Sequence, residues 1–136
     1  MRKITDIIVH CSATPEGKPF TVTDIDRWHR QRGFAQIGYH YVIYLDGTVH
    51  KGRPITQVGA HCQGHNAHSI GICYIGGLAA DNKTPKDTRT EAQKQAMLNL
   101  LKELRAKFPT ATIRGHRDFA TKACPSFDAT KEYAHI

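Results

Sequence analysis

Ile4-Thr-Asp-Ile-Ile-Val-His-Cys-Ser-Ala-Thr-Pro15 is the stretch whose reading decides the fold. Ile4, Ile7, Ile8 and Val9 are apolar and β-branched, and the run ends at the turn-forming Cys11-Ser-Ala-Thr-Pro15, so residues 4–10 read as a buried strand. His10 then stands at the strand's C-terminal end. In α/β sheets this is the end where ligands and catalytic groups gather. Strand and helix patterns alternate downstream, which predicts an α/β domain.

Thr23-Asp-Ile-Asp-Arg-Trp-His-Arg-Gln-Arg-Gly33 carries a helix signature: Thr23 as N-cap, acids in the first turn, bases in the last and Gly33 as the stop. Ile25, Trp28 and His29 share one face of it, with Trp28 read as a core anchor. Tyr39 to Leu45, Asp46-Gly47 and Thr48 to Lys51 form a hairpin pattern with a two-residue type I′ turn. Alternation along its first strand puts Tyr39, Tyr41, Ile43 and Leu45 on one face and His40, Val42 and Tyr44 on the other, so Tyr39 and His40 cannot both enter one site. The stretch Gly59 to Asn66 is polar and Gly-rich, and a strand resumes over Ser69 to Ile75 before Gly76-Gly77. Ala79 to Arg89 reads as a solvated loop, the preferred place for nicking. Thr90-Glu-Ala-Gln93 is a capping box, and Ala96, Met97, Leu100, Leu101, Leu104 and Phe108 follow at helical spacing up to Pro109. A last short strand, Thr112 to Arg114, delivers His116 into a loop. No repeats or linkers interrupt the chain, which therefore reads as one domain over residues 1–136.

At 136 residues the chain can bury roughly two thirds of its unfolded surface and fold without disulfides. No stretch reaches the roughly 18 apolar residues of a membrane span, and the N-terminus lacks a signal-peptide core, so neither membrane insertion nor an export signal is expected. The four cysteines, Cys11, Cys62, Cys73 and Cys124, form no CxxC pair and are expected as free thiols; the alternative is a disulfide between two of Cys11, Cys62 and Cys73. The formal charge of +7 predicts attraction to polyanions, whether nucleic acid, acidic wall polymers or anionic membrane surfaces. No RNP-like strand, helix-turn-helix or arginine-rich helix supports the nucleic-acid reading. The chain is expected to act as a monomer.

The residues that carry chemistry lie in Arg114-Gly-His-Arg-Asp-Phe-Ala-Thr-Lys-Ala-Cys-Pro-Ser-Phe-Asp128, which stores an imidazole (His116), an amine (Lys122) and a thiol (Cys124) in one irregular segment. His10 and His116 become neighbours if the first and last strands share a sheet. With Cys124 they make a His, His, Cys set suited to zinc, with a fourth position left open, as in a catalytic site. Against this stands a plainer reading, with His10 a polar strand end and Cys124 a small buried hydrophobe. No HExxH helix is present, so a thermolysin-type glutamate base is excluded.

Val9-His-Cys-Ser-Ala-Thr14, Trp28-His29, Gly38-Tyr-His40, Asp46-Gly-Thr-Val49, Gly59-x-His61, Ser69-Ile-Gly-Ile72, Gly76-Gly77 and Lys122-Ala-Cys-Pro-Ser-Phe-Asp128 occur in order over residues 4 to 128. Together they resemble the zinc-dependent N-acetylmuramoyl-L-alanine amidases of the type-2 amidase and peptidoglycan-recognition-protein superfamily, and within it the amidase-type bacteriophage lysozymes most. The resemblance implies a single α/β domain with a central mixed β-sheet flanked by helices. It implies one zinc ion on His10, His116 and Cys124, with Tyr39 and Lys122 as catalytic residues. His61 and Asn66 match groove positions that contact the muramyl-peptide, in a segment where Cys62 and His65 depart from related phage sequences. His29 and His40 also match the family, as structural or supporting residues. The implied substrate is bacterial peptidoglycan, cut at the amide between N-acetylmuramic acid and L-alanine. The implied setting is a phage or prophage enzyme made in the cytoplasm without a signal peptide and released to the wall during lysis.

Two readings compete with this one. Some superfamily members bind peptidoglycan without catalysis; loss of the cysteine ligand marks those, and Cys124 is present. The other is a basic regulatory protein that binds nucleic acid or a nucleic-acid enzyme, using the fold alone.

Overall fold

Strands and helices alternate along the chain in the computed structural model, which describes residues 1–136. The strands are β1 (Asp6–Cys11), β2 (Thr14–Pro15), β3 (Tyr41–Ile43), β4 (Val49–Lys51), β5 (Ser69–Tyr74), β6 (Gly77–Leu78) and β7 (Thr112–Gly115). The α-helices are α1 (Val22–Gln31), α2 (Glu91–Lys107) and α3 (Ala129–Glu132), with short 3-10 turns at Asn66–His68 and His116–Asp118. Five strands form one sheet in the order β4-β3-β5-β1-β7, while β2 and β6 make a small second pair. Only β4 runs antiparallel to its neighbour in the large sheet, so that sheet is mixed, as expected.

The pleat divides β1 and β5 between two faces. Ile7, Val9, Ile70, Ile72 and Tyr74 pack with Met97, Leu101 and Leu104 of α2 in the main core. A smaller cluster on α1 gathers Ile25, Ile37, Val42, Cys73 and Ile75, with Trp28 and Tyr39 at its margin. Gln93 ties the start of α2 to the sheet: its amide nitrogen donates to the carbonyls of Ile43 (3.2 Å) and Ile75 (3.0 Å), and its oxygen accepts the Thr90 N–H in the expected capping box.

Several expectations change. The cap of α1 is Thr21, two residues before Thr23. Both threonines stand three residues ahead of an aspartate, but Asp26 is engaged by Arg30 and by the Ile37 N–H, whereas Asp24 is free to return the Thr21 bond. The hairpin turn is a three-residue loop instead of type I′: Gly47 N–H donates to Tyr44 C=O, Tyr44 N–H to Thr48 C=O, and only Gly47 has positive φ (85°). That is a type I turn closed by a left-handed glycine. Regular strand geometry begins at Tyr41, so Tyr39 lies outside the alternation and sides with Val42 at the α1 cluster, not with Tyr41 and Ile43. Trp28 is half-buried, packs edge-on against Phe20 and also lines the cleft, while the fully buried residues of α1 are Ile25 and His29.

The expected solvated loop ends early, because Thr88 and Arg89 are buried. The Arg89 guanidinium bonds Asp87, Glu132 and the Tyr133 hydroxyl, and lies 3.5 Å from the centroid of the Phe127 ring. All four cysteines are free thiols. No helix is long and apolar enough to cross a membrane.

Candidate active site

β1 and β7 are parallel neighbours, paired from Asp6↔Thr112 to Val9↔Gly115. Their C-terminal ends therefore deliver His10 and His116 to the same edge of the sheet, with ring centroids 4.6 Å apart. The loop beyond His116 is folded back by the bond from Arg117 N–H to Cys124 C=O (2.8 Å). Further along, Tyr74 donates its hydroxyl to Pro125 C=O (2.6 Å) and Ser126 its hydroxyl to Gly77 C=O (2.8 Å). This bracing sets the Cys124 sulfur 3.8 Å from His10 Nδ1. One ligand atom from each of His10, His116 and Cys124 lies within 4.8 Å of the others. Nitrogen and sulfur ligands bound tetrahedrally to one zinc stand about 3.5 Å apart, so the spacing and donor chemistry fit that ion.

The electrostatics suit metal ligation. His10 is fully buried; burial pushes its pKa well down, and His61, His116 and Lys122 add to the effect. Burial lowers His116 too, again helped by Lys122. Both imidazoles are thus neutral and keep a lone pair for a metal. At Cys124 the neighbouring Cys11 thiol and burial push the pKa up, while the Cys11 backbone N–H, 3.3 Å from the sulfur, favours the thiolate a metal would stabilise.

A cleft of about 840 Å³ opens over this group, lined among others by Trp28, Arg32, Phe34, Tyr39, Phe119 and Lys122. Tyr39 is wedged between the rings of His10 (5.1 Å) and His29 (5.3 Å), and burial raises its hydroxyl pKa, so it stays protonated. Lys122 stands exposed on the rim. Arg32 and Lys122 face the cleft with no carboxylate among its lining residues, giving it a positive field.

His61 and Asn66 also line the cleft, but their polar atoms are turned inward. Asn66 Oδ1 accepts the backbone N–H groups of both His61 and Cys62 (2.9 Å each). The His61 ring meets His10 Nε2 through Nδ1 (2.8 Å) and Ser69 Oγ through Nε2 (3.3 Å). Burial pulls its pKa down to about 3, so it is neutral. His29 and His40 lie outside the His10, His116, Cys124 group, in structural roles: His29 Nδ1 accepts the Gly38 N–H and His40 Nδ1 the Gly71 N–H. Tyr39 lines the cleft and His40 does not, although both rings flank His61.

The sequence reading missed the Cys11 N–H on the ligand sulfur, the His10–His61 contact and the cationic Arg32 on the cleft wall. Cys11 follows a ligand directly, which could have raised the first. The other two join residues far apart in sequence and had no local signature.

Comparison with known proteins gives a family. The signature of the family described as N-acetylmuramoyl-L-alanine amidase matches residues 1–127. The endolysin of Escherichia phage T7 is 46% identical over 129 residues, covering 93% of this chain and 84% of its own length. The N-acetylmuramoyl-L-alanine amidase LysC of Clostridium intestinale superposes with a TM-score of 0.80 at 30% identity, covering 96% of this chain and 82% of that one. A tyrosine-to-phenylalanine mutant of Drosophila PGRP-LB in complex with tracheal cytotoxin superposes with a TM-score of 0.81 at 26% identity, covering 99% and 82%.

Proposed function

The chain belongs to the N-acetylmuramoyl-L-alanine amidase family and is a peptidoglycan amidase; from that premise we propose that it is zinc-dependent, with His10, His116 and Cys124 as ligands and Tyr39 and Lys122 as catalytic residues. The observation that carries the reading is the approach of three ligand atoms to within 4.8 Å in a cleft that also holds Tyr39 and Lys122. A bound zinc supplies Lewis-acid chemistry at the scissile carbonyl and a nucleophile at neutral pH.

The chain's own residues do the rest. Water adds to the carbonyl carbon of the lactyl–L-alanine amide, negative charge grows on the carbonyl oxygen, and the Lys122 ammonium stabilises it. Tyr39, protonated in its half-buried place, orients the attacking water and passes a proton toward the departing nitrogen through its hydroxyl. The C–N bond then breaks, leaving a carboxylate on the muramic acid and a free amine on the peptide. Trp28, Phe34 and Phe119 present apolar walls to the muramyl-peptide, and Arg32 and Lys122 favour its acidic groups. His61 and Asn66 contribute to that wall through a ring edge and a side-chain N–H.

The binding of a peptidoglycan fragment by the PGRP-LB relative supports this choice of substrate, and the phage endolysin relatives support a phage or prophage enzyme that reaches the wall during lysis. The basic surface is accounted for by an acidic wall. The test is mass spectrometry of fragments released from purified peptidoglycan, with and without a chelator. The expected products carry a new L-alanine amino terminus and an intact glycan, and chelation abolishes their release. Cleavage at another bond would overturn the bond assignment, and cleavage indifferent to chelation would overturn the metal.

A further inference from the structure

We propose that His61 is a positioning residue for the metal centre: its Nδ1 accepts a hydrogen bond from His10 Nε2–H and so commits His10 Nδ1 to the metal. The inference rests on the zinc reading above. Its starting point is the direction of the His10 ring, whose Nδ1 faces the Cys124 sulfur at 3.8 Å while Nε2 points away, 2.8 Å from His61 Nδ1. A ligating imidazole needs its metal-facing nitrogen unprotonated, which leaves the proton on the other one. In this ring the other nitrogen is Nε2, and an acceptor must receive its proton. No carboxylate or carbonyl contacts His10 Nε2; the partner is His61. The next link follows from the same logic. If His61 Nδ1 accepts, its proton is on Nε2, where Ser69 Oγ lies 3.3 Å away as the acceptor. Each tautomer in the chain His10–His61–Ser69 is thus fixed by the one before it.

The protein clears and holds the space for this ring. His61 lies over the β5 backbone at Gly71, where an added Cβ would stand 2.7 Å from ring carbons and 2.8 Å from Nδ1. On its other side a Cβ at Gly59 would stand 2.8 Å from the His61 ring and 2.8 Å from that of His40. Gly71 is registered opposite Ile8, two residues before His10, so the ring lies beside the ligand on the same face of the sheet. The loop that carries His61 is pinned from both ends. Asn66 Oδ1 takes the His61 and Cys62 N–H groups, and the Arg2 guanidinium donates to the carbonyls of Ile55, Asn66, Ala67 and Ser69. A residue that only offered a surface to substrate would not need both ring nitrogens engaged inside the protein.

Outer partners of ligating histidines typically contribute 10- to 100-fold to metal affinity. The test measures zinc affinity by competition with a chromophoric chelator for the intact wild type, His61→Phe and His61→Asn. The tautomer of His10 is read in each zinc-loaded protein by long-range nitrogen–proton NMR correlations. Phe keeps a ring and removes the acceptor; Asn places its Oδ1 near the position of Nδ1 and restores one. The expected result is zinc binding weakened about 10- to 100-fold in His61→Phe, recovery of most of that loss in His61→Asn, and an Nε2–H tautomer at His10 in the wild type. Wild-type affinity in a folded His61→Phe, or failure of a folded His61→Asn to bind better than His61→Phe, would overturn the positioning role alone. A wild type without tight zinc would remove the metal reading and this inference with it.

Discussion

Replacing Arg89 with methionine should destabilise the fold by about 2–4 kcal/mol, a range that follows from the partners of its guanidinium. The side chain is 1% exposed and forms ion pairs at 2.9 Å with Asp87 and with Glu132. It also bonds the Tyr133 hydroxyl at 2.8 Å and lies 3.5 Å from the Phe127 ring centroid. Removing one partner of a buried pair costs about 3–5 kcal/mol when the other is left without water. Here the two carboxylates are 32% and 45% exposed and regain solvent, which puts that part near or below the lower limit. Loss of a desolvated cation–π contact adds about 2 kcal/mol, and the methionine stem recovers some packing. With a urea m-value of about 2 kcal/mol/M, a loss of about 3 kcal/mol moves the midpoint by about 1.5 M. The pH dependence gives an independent check. At Asp87 burial acts to raise the pKa, but the hydrogen bonds and charge of Arg89 outweigh it; at Glu132 the Arg89 hydrogen bond is the main cause of lowering. Groups whose folded pKa lies below the unfolded value contribute stability above the unfolded pKa of about 4 and lose it as pH falls through the folded one. The wild type should therefore lose stability below about pH 4 more steeply than Arg89→Met. A loss under about 1 kcal/mol at pH 7, or parallel acid limbs, would show that Arg89 is not the clamp described.

Three further outcomes are expected. Cys124→Ser should lose tight zinc and wall lysis together, checked by metal analysis and turbidity clearing, whereas full metal content with normal lysis would remove Cys124 from the ligand set. Lys122→Ala and Tyr39→Phe should each lower kcat by roughly 10² or more with zinc retained, because each removes a group that acts on the developing charge or proton; a normal rate in either variant dismisses that residue. Activity on whole walls should fall between 0.1 M and 1 M salt, as the screening length shortens from about 10 Å to about 3 Å, while turnover of a small neutral muramyl-peptide changes much less. Equal salt responses for both substrates would detach the positive charge from wall steering.

The sequence by itself determined those parts of the protein that depend on neighbours along the chain. The β-branched run ending at His10, the Thr90–Gln93 capping box, the Leu and Met stripe of α2 and the short strand before His116 are local patterns, and each became the expected element. The ordered motifs also carried the family, because a set of short words in fixed order is specific even when each word is common. Where two local solutions were equally good, the sequence could not choose. Thr21 and Thr23 both offered a cap, and the tertiary engagement of Asp26 by Ile37 and Arg30 decided between them. Arg89 read as a loop residue because the charges that bury it come from a helix more than forty positions away. His61 read as a groove residue because nothing near it in sequence announces His10. Only the parallel register of β1 with β5 brings Gly71 beside that ligand and lets the ring lie over it. Side-chain type and spacing fix which metal and reaction the site can support; which nitrogen faces the metal is decided by contacts across the sheet, and those exist only once the chain has closed on itself.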